Sequence, residues 1–192
     1  AADLNTEFSL IDRQVQRINA IVGKLLQFAR PSEFSGTADS VALDEVIEDC
    51  LVLVGYGISQ TDTTVIRDFQ DAPNVMMDHG ELQQVIINLL VNALQAMDGS
   101  GVLTLRIKPQ SRNDRQGVSV EIKDSGAGIA DDILDKVFDP FFTTKPGEGS
   151  GLGLSISQTL VQRAGGQIMA RHGSDGGTVF TVWLPSADAA QA

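Results

Sequence analysis

Residues 81–92 read ELQQVIINLLVN, and the reading of this stretch decides the architecture. Leu82, Val85, Ile86, Leu89, Leu90 and Ala93 recur at helical spacing, which predicts a long helix over 79–97 with one apolar face. Asn88 and Asn92 stand four apart and share a polar stripe with Glu81, Gln84 and Gln95. Amide oxygens are hard donors of the kind Mg²⁺ accepts alongside substrate phosphates. Taken alone, the same amides would serve equally well to solvate a helix surface. Two glycine-rich segments downstream shift that balance.

The first is DSGAGI at 124–129, which follows an apolar, alternating run predicted as a strand over 118–124. Asp124 sits where strand gives way to turn. Gly126 and Gly128 let the backbone approach a flat ligand, and a carboxylate there can accept a hydrogen bond from an exocyclic amine, as adenine offers. Asp-x-Gly-x-Gly alone is common in ordinary turns. The second is GEGSGLGL at 147–154, ahead of a helix predicted over 151–164. Its glycines turn backbone N–H groups toward phosphate, and the helix N-terminus adds a favourable dipole. No Gly-Lys-[Ser/Thr] follows, so it is not a P-loop. No βαβ unit with a distal acid surrounds it, so it is not a dinucleotide fingerprint. Between the two, FDPFFTTK at 138–145 sets three phenylalanines beside Thr143, Thr144 and Lys145, an apolar anchor for a loop bearing one point charge.

In this order the boxes resemble the catalytic, ATP-binding domain of sensor histidine kinases, within the superfamily of gyrase, Hsp90 and MutL. The resemblance covers roughly 40–185. It implies ATP and Mg²⁺ as cofactors. Asn92 would hold the metal and Asn88 would touch metal or phosphate, Asp124 would read the adenine amine, and Thr178 in GGTVFTVWLP would add a second adenine contact through water. Lys145 would approach the γ-phosphate. Gly126, Gly128, Thr144, Gly149, Gly151, Leu152 and Gly153 complete the implied nucleotide site. Hydrolytic relatives carry a glutamate where this chain has Asn88, which cannot act as a base. Many histidine kinases also carry a lysine where this chain has Gln95.

The implied fold is α+β, a two-layer α/β sandwich of the Bergerat type. A mixed sheet is covered on one face by helices, and a long N-terminal helix precedes it. Further elements are predicted as helices at 43–54 and 131–137 and strands at 63–69, 74–77, 102–108, 167–172 and 178–184. The domain reading is an N-terminal helix over 1–31, a linker over 32–40, the ATP-binding domain over 41–186 and a tail over 187–192. Apolar residues at Leu4, Phe8, Ile11, Val15, Ile18, Val22, Leu25 and Ala29 form a heptad seam closed by Pro31. By resemblance this is the second helix of a dimerisation and phosphoacceptor hairpin whose first helix is expected elsewhere. Neither His79 nor His172 has an acidic residue after it, and both read as structural or solvated.

A formal charge of −11 over 192 residues disfavours nucleic acid as a partner. Apolar content of 42% suits a packed core, and the apolar runs fall short of the roughly 20 residues that cross a bilayer. Ala1–Leu10 carries Asp3 and Glu7 and does not read as a signal peptide. The single Cys50 forms no internal disulfide. The expectation is a cytoplasmic fragment without membrane contact, from a protein whose intact form is homodimeric and could be anchored in the inner membrane. Its implied partners are the phosphoacceptor helix of the same kinase and a response-regulator receiver domain. Three alternatives stand beside phosphotransfer to histidine: a superfamily ATPase driving a conformational change, a degenerate dimerising module, and an anti-sigma serine kinase.

Overall fold

The computed structural model describes residues 39–144 and 150–188. The predicted helix over 1–31, most of the linker, Lys145, Gly149 and the end of the tail lie outside those residues.

The first strand, β1 (Asp39–Val41), takes the last two residues of the predicted linker and the first of the predicted domain, and pairs antiparallel with β3 (Val75–Met77) in a small sheet. Helix α1 (Leu43–Ser59) follows and runs five residues beyond its predicted end. Its buried stripe is Leu43, Val46, Ile47, Cys50, Leu51 and Val54, and the last turns extend over Gly55 and Gly57 with Val52, Leu53 and Tyr56 exposed. Each of the two glycines costs only about 1 kcal/mol relative to alanine, too little to end a helix whose preceding turns are packed on the core.

Helix α2 (His79–Met97) matches the predicted bounds. Asp78 caps it, its Oδ1 accepting the Glu81 N–H at 2.9 Å. It stops at Asp98 and Gly99, both with positive φ, the left-handed conformation that ends helices. Leu82, Val85, Ile86, Leu89 and Leu90 are fully buried. They pack with α1 against one face of a five-stranded sheet in the order β2-β4-β5-β7-β6.

The strands are β2 (Asp62–Phe69), β4 (Ser100–Pro109), β5 (Gly117–Lys123), β6 (Gln167–His172) and β7 (Thr178–Pro185). Strands β2 and β4 are parallel, because β3 and α2 form the crossover between them, and the other pairings are antiparallel. Period-two alternation sends Val118, Val120 and Ile122 of β5 and Phe180, Val182 and Leu184 of β7 to the helices. Ser119, Glu121, Thr181 and Trp183 therefore face the other way. The segment predicted as a helix at 131–137 is a 3₁₀ turn over Asp131–Lys136, and α3 (Gly153–Arg163) completes the helical layer. Residues after β7 are tied in: Ser186 bridges Val75, and the Ala187 N–H donates to the Asn74 carbonyl at 2.8 Å.

The result is the expected two-layer α+β sandwich, a mixed sheet with helices on one face. Among the described residues no helix is long and apolar enough to cross a membrane.

Candidate functional site

Asp124 leaves the end of β5 beside the start of β7 and is 1% exposed. Its N–H donates to the Thr178 carbonyl at 3.0 Å. Its Oδ1 accepts the N–H groups of Gly126 at 2.8 Å and Thr178 at 3.2 Å. Burial pushes the carboxyl pKa up, and those backbone N–H donors offset only part of the shift. A buried carboxylate with both hydrogen bonds on one oxygen keeps the second oxygen for an outside donor.

Glycine makes this geometry available. Gly177 has φ +71°, and a Cβ there would lie 2.0 Å from the Asp124 carbonyl. A Cβ on Gly126 would lie 2.3 Å from the Ala96 carbonyl in the last turn of α2, to which the Ala127 N–H donates at 3.3 Å. The DSGAGI turn is thus wedged between α2 and β7, and Gly128, with φ +77°, carries it back out.

The asparagine stripe meets the second glycine segment across the α2–α3 contact. The Asn88 Nδ2 donates to Ser157 Oγ at 3.0 Å. A Cβ on Gly153 would fall 2.3 Å from Asn88 Oδ1, so the glycine at the head of α3 leaves room for that oxygen. Asn92, one turn on, is half-buried, and its side-chain amide has no hydrogen-bond partner among the described residues. Glu81 in the first turn of α2 pairs with Arg163 in the last turn of α3, which fixes the two helices at a second point.

The phenylalanine segment forms the root of the loop between these parts. Phe138 meets Phe180 edge-on, with ring centroids 6.4 Å apart. Gly151, with φ +67°, is packed so tightly that a Cβ would lie 2.4 Å from the Phe141 carbonyl carbon. Leu152 is 1% exposed, and its carbonyl accepts from Ser155 Oγ and the Ile156 N–H, both at 3.0 Å. Thr144 is exposed.

The fold therefore gathers Asp124, Gly126, Gly128 and Thr178 at one locus, and Asn88, Gly153, Leu152 and Gly151 at a second around the head of α3. Ser157 and Arg163 escaped the sequence reading. A serine within the apolar pattern of α3 was the available signal for Ser157, but its partner lies 69 positions away. His79 is exposed at the start of α2, and His172 Nε2 lies 2.7 Å from Asp131 Oδ1, both on the surface. A mostly apolar cleft of about 490 Å³ between α1 and α2 is lined by Leu53, Ile87, Val91 and Leu94 together with Gln95, and no cationic side chain lines it.

Residues 77–188 match the family model described as histidine kinase-, DNA gyrase B- and HSP90-like ATPase. The chain belongs to this family and carries its ATPase catalytic domain. It is 34% identical over 174 residues to the sensor histidine kinase ZraS of Escherichia coli (strain K12), covering 90% of this chain and 36% of that one. The catalytic domain of the histidine kinase ThkA, in a nucleotide-free form, superposes with a TM-score of 0.69 at 27% identity, covering 79% of this chain and 97% of that one. ThkA in complex with the response regulator protein TrrA gives a TM-score of 0.75 at 26% identity over 93% of this chain and 50% of that one. The chain thus spans about a third of the length of that curated relative, ZraS.

Proposed function

We propose that this chain binds Mg-ATP between α2 and the two glycine-rich turns, and that in the intact kinase it phosphorylates a histidine. The observation that carries the reading is the pair of preformed cradles. A buried Asp124 carboxylate lies among backbone turns that admit no Cβ, and the Asn88 amide oxygen faces the glycine at the head of α3. The donor set fits the cofactor: a carboxylate oxygen suits the adenine amine, backbone amides at a helix start suit phosphate, and amide oxygens suit a hard cation.

In this reading Asp124 orients the adenine with Thr178 beside it, and Gly126 and Gly128 let the base lie against backbone. Asn92 and Asn88 hold the metal, which when bound neutralises phosphate charge. Gly151, Leu152 and Gly153 present N–H groups to the phosphates, joined by Thr144, Lys145 and Gly149 from the intervening loop. Phosphoryl transfer needs positioning and charge neutralisation more than covalent participation by the protein. An amide at Asn88 cannot take a proton from water, so acceptance by an incoming imidazole is favoured over hydrolysis.

The acceptor histidine lies on a helix paired with the 1–31 seam in a homodimeric kinase, and the phosphoryl group passes on to a receiver-domain aspartate. The site works in the cytoplasm. A superfamily ATPase is the second reading, and Asn88 in place of a glutamate weighs against it.

Calorimetric titration with a non-hydrolysable ATP analogue, with and without Mg²⁺, tests the proposal. Saturable binding that Mg²⁺ tightens is expected. Absence of binding at millimolar nucleotide overturns it, and steady phosphate release from ATP would transfer the case to the ATPase reading.

A further inference from the structure

The sheet face turned away from the helices holds a pocket of about 270 Å³ between the β4–β5 hairpin and the β6–β7 pair. Its apolar part is Trp183, Met169 and Ala170, with Thr181 beside them, and its polar part is Lys108, Arg112 and Arg171 around Glu121. The walls are fixed. Trp183 Nε1 donates to the Gln110 carbonyl at 2.8 Å, and the indole packs so closely on Gly117 that a Cβ there would lie 2.6 Å from the ring. Arg112 stands at the neck of a tight turn, its N–H and carbonyl exchanging hydrogen bonds with Arg115 at 2.9 and 3.0 Å. Asn113 and Asp114 take φ of 47° and 60°, as a two-residue hairpin turn requires.

The charges in this pocket do not balance. Glu121 is 8% exposed and accepts from Arg106 at 3.1 Å, Lys108 at 3.2 Å and Arg171 at 3.4 Å. One carboxylate thus serves several cations. The Arg112 guanidinium has only the Met169 sulfur, 4.0 Å from Nη1, as a partner among the described residues. Three lining cations against one lining carboxylate leave two positive charges in excess, in a chain whose formal charge is −11. Arg106, just outside, is already shared with Asp68 at 2.6 Å. A preformed concavity with an apolar wall and a few convergent charged groups is the usual form of a small-molecule site.

We propose that this pocket binds a small organic dianion with a flat apolar body, of the class of aryl phosphates and aromatic dicarboxylates. The body lies along Trp183 and Met169, and the charged end takes charge-assisted hydrogen bonds from Arg112, with Lys108 and Arg171 beside it. None of these residues belongs to the nucleotide site, so the two proposals stand or fall separately.

Trp183 is the chain's single tryptophan, so its emission and its indole N–H resonance report on the pocket directly. The full chain is titrated with phenyl phosphate and with phthalate, and with benzyl alcohol and inorganic phosphate as controls. A saturable change in both signals is expected for an aromatic dianion, weakened about tenfold or more in Arg112→Ala, a change on a surface hairpin. The analogue titration of the nucleotide site should be unaltered in that variant. Added salt gives a mutation-free check, since it should weaken the dianion and leave benzyl alcohol unchanged. Silence of both signals at millimolar probe, an equal response to benzyl alcohol, or a response indifferent to both Arg112→Ala and salt overturns the proposal. A response to inorganic phosphate equal to that of phenyl phosphate removes the apolar requirement and overturns the ligand class.

Discussion

Asp124 pays for its position in stability. Its carboxyl pKa is raised, first by burial, above the ordinary 3.8. The folded state therefore holds a proton more tightly than the unfolded one, and stability is lost as pH rises from about 3.8 through the folded value. Asp124→Asn removes that cost while keeping an oxygen for the Gly126 and Thr178 N–H groups. Thermal melts of the variant should equal or exceed wild type at pH 7, with the advantage shrinking toward pH 4, while nucleotide binding is abolished. Unchanged affinity in this variant would remove the adenine assignment. Ser157 acts through another residue: its hydroxyl receives the Asn88 Nδ2 and so turns Oδ1 toward Gly153. Ser157→Ala frees the amide to flip and should reduce the Mg²⁺-dependent part of nucleotide affinity by about tenfold, the scale of one hydrogen bond. Ser157→Thr should restore it. Equal loss with and without Mg²⁺ would mark Ser157 as merely structural.

At the scale of elements, α2 carries both the core and the asparagines, so its start matters to both. Asp78 caps it through the Glu81 N–H, and replacement by alanine should cost about 1 kcal/mol in urea unfolding. No measurable change would show that the Glu81–Arg163 pair alone holds that end. The pattern of α2 was legible because its apolar stripe and cap are local. The 3₁₀ turn at Asp131–Lys136 and the extra turns of α1 were not, because short helices and helix ends are settled by what packs on them. Strand β1 was missed for a related reason. Three residues inside a polar stretch carry no periodicity, and only β3 alongside gives their backbone groups partners.

For the molecule as a whole, the sheet has two unlike faces, one an apolar core and one a charged surface centred on Glu121. Burial pushes the Glu121 carboxyl up, but hydrogen bonds and charge from Lys108, Arg171 and Arg106 outweigh it and hold the pKa below the ordinary 4.5. The stability this supplies is present above 4.5 and lost as pH falls through the folded value. Acid unfolding followed by circular dichroism should therefore begin at lower pH in wild type than in Glu121→Ala, and superimposed curves would exclude the network as a source of acid resistance. The sequence by itself determined the long helix over 79–97, the five strands of the main sheet and the α+β class, because helical and strand periodicity are local properties, and its asparagine and glycine spacing carried the resemblance that implied a nucleotide site around Asn88, Asp124 and Gly153. Only the tertiary structure decided that Ser157 meets Asn88, that Glu81 meets Arg163, and that Trp183 lines a cationic pocket on the outer face. Those contacts join residues far apart in the chain, and no pattern along it records which distant side chains the packing of the sheet brings within reach.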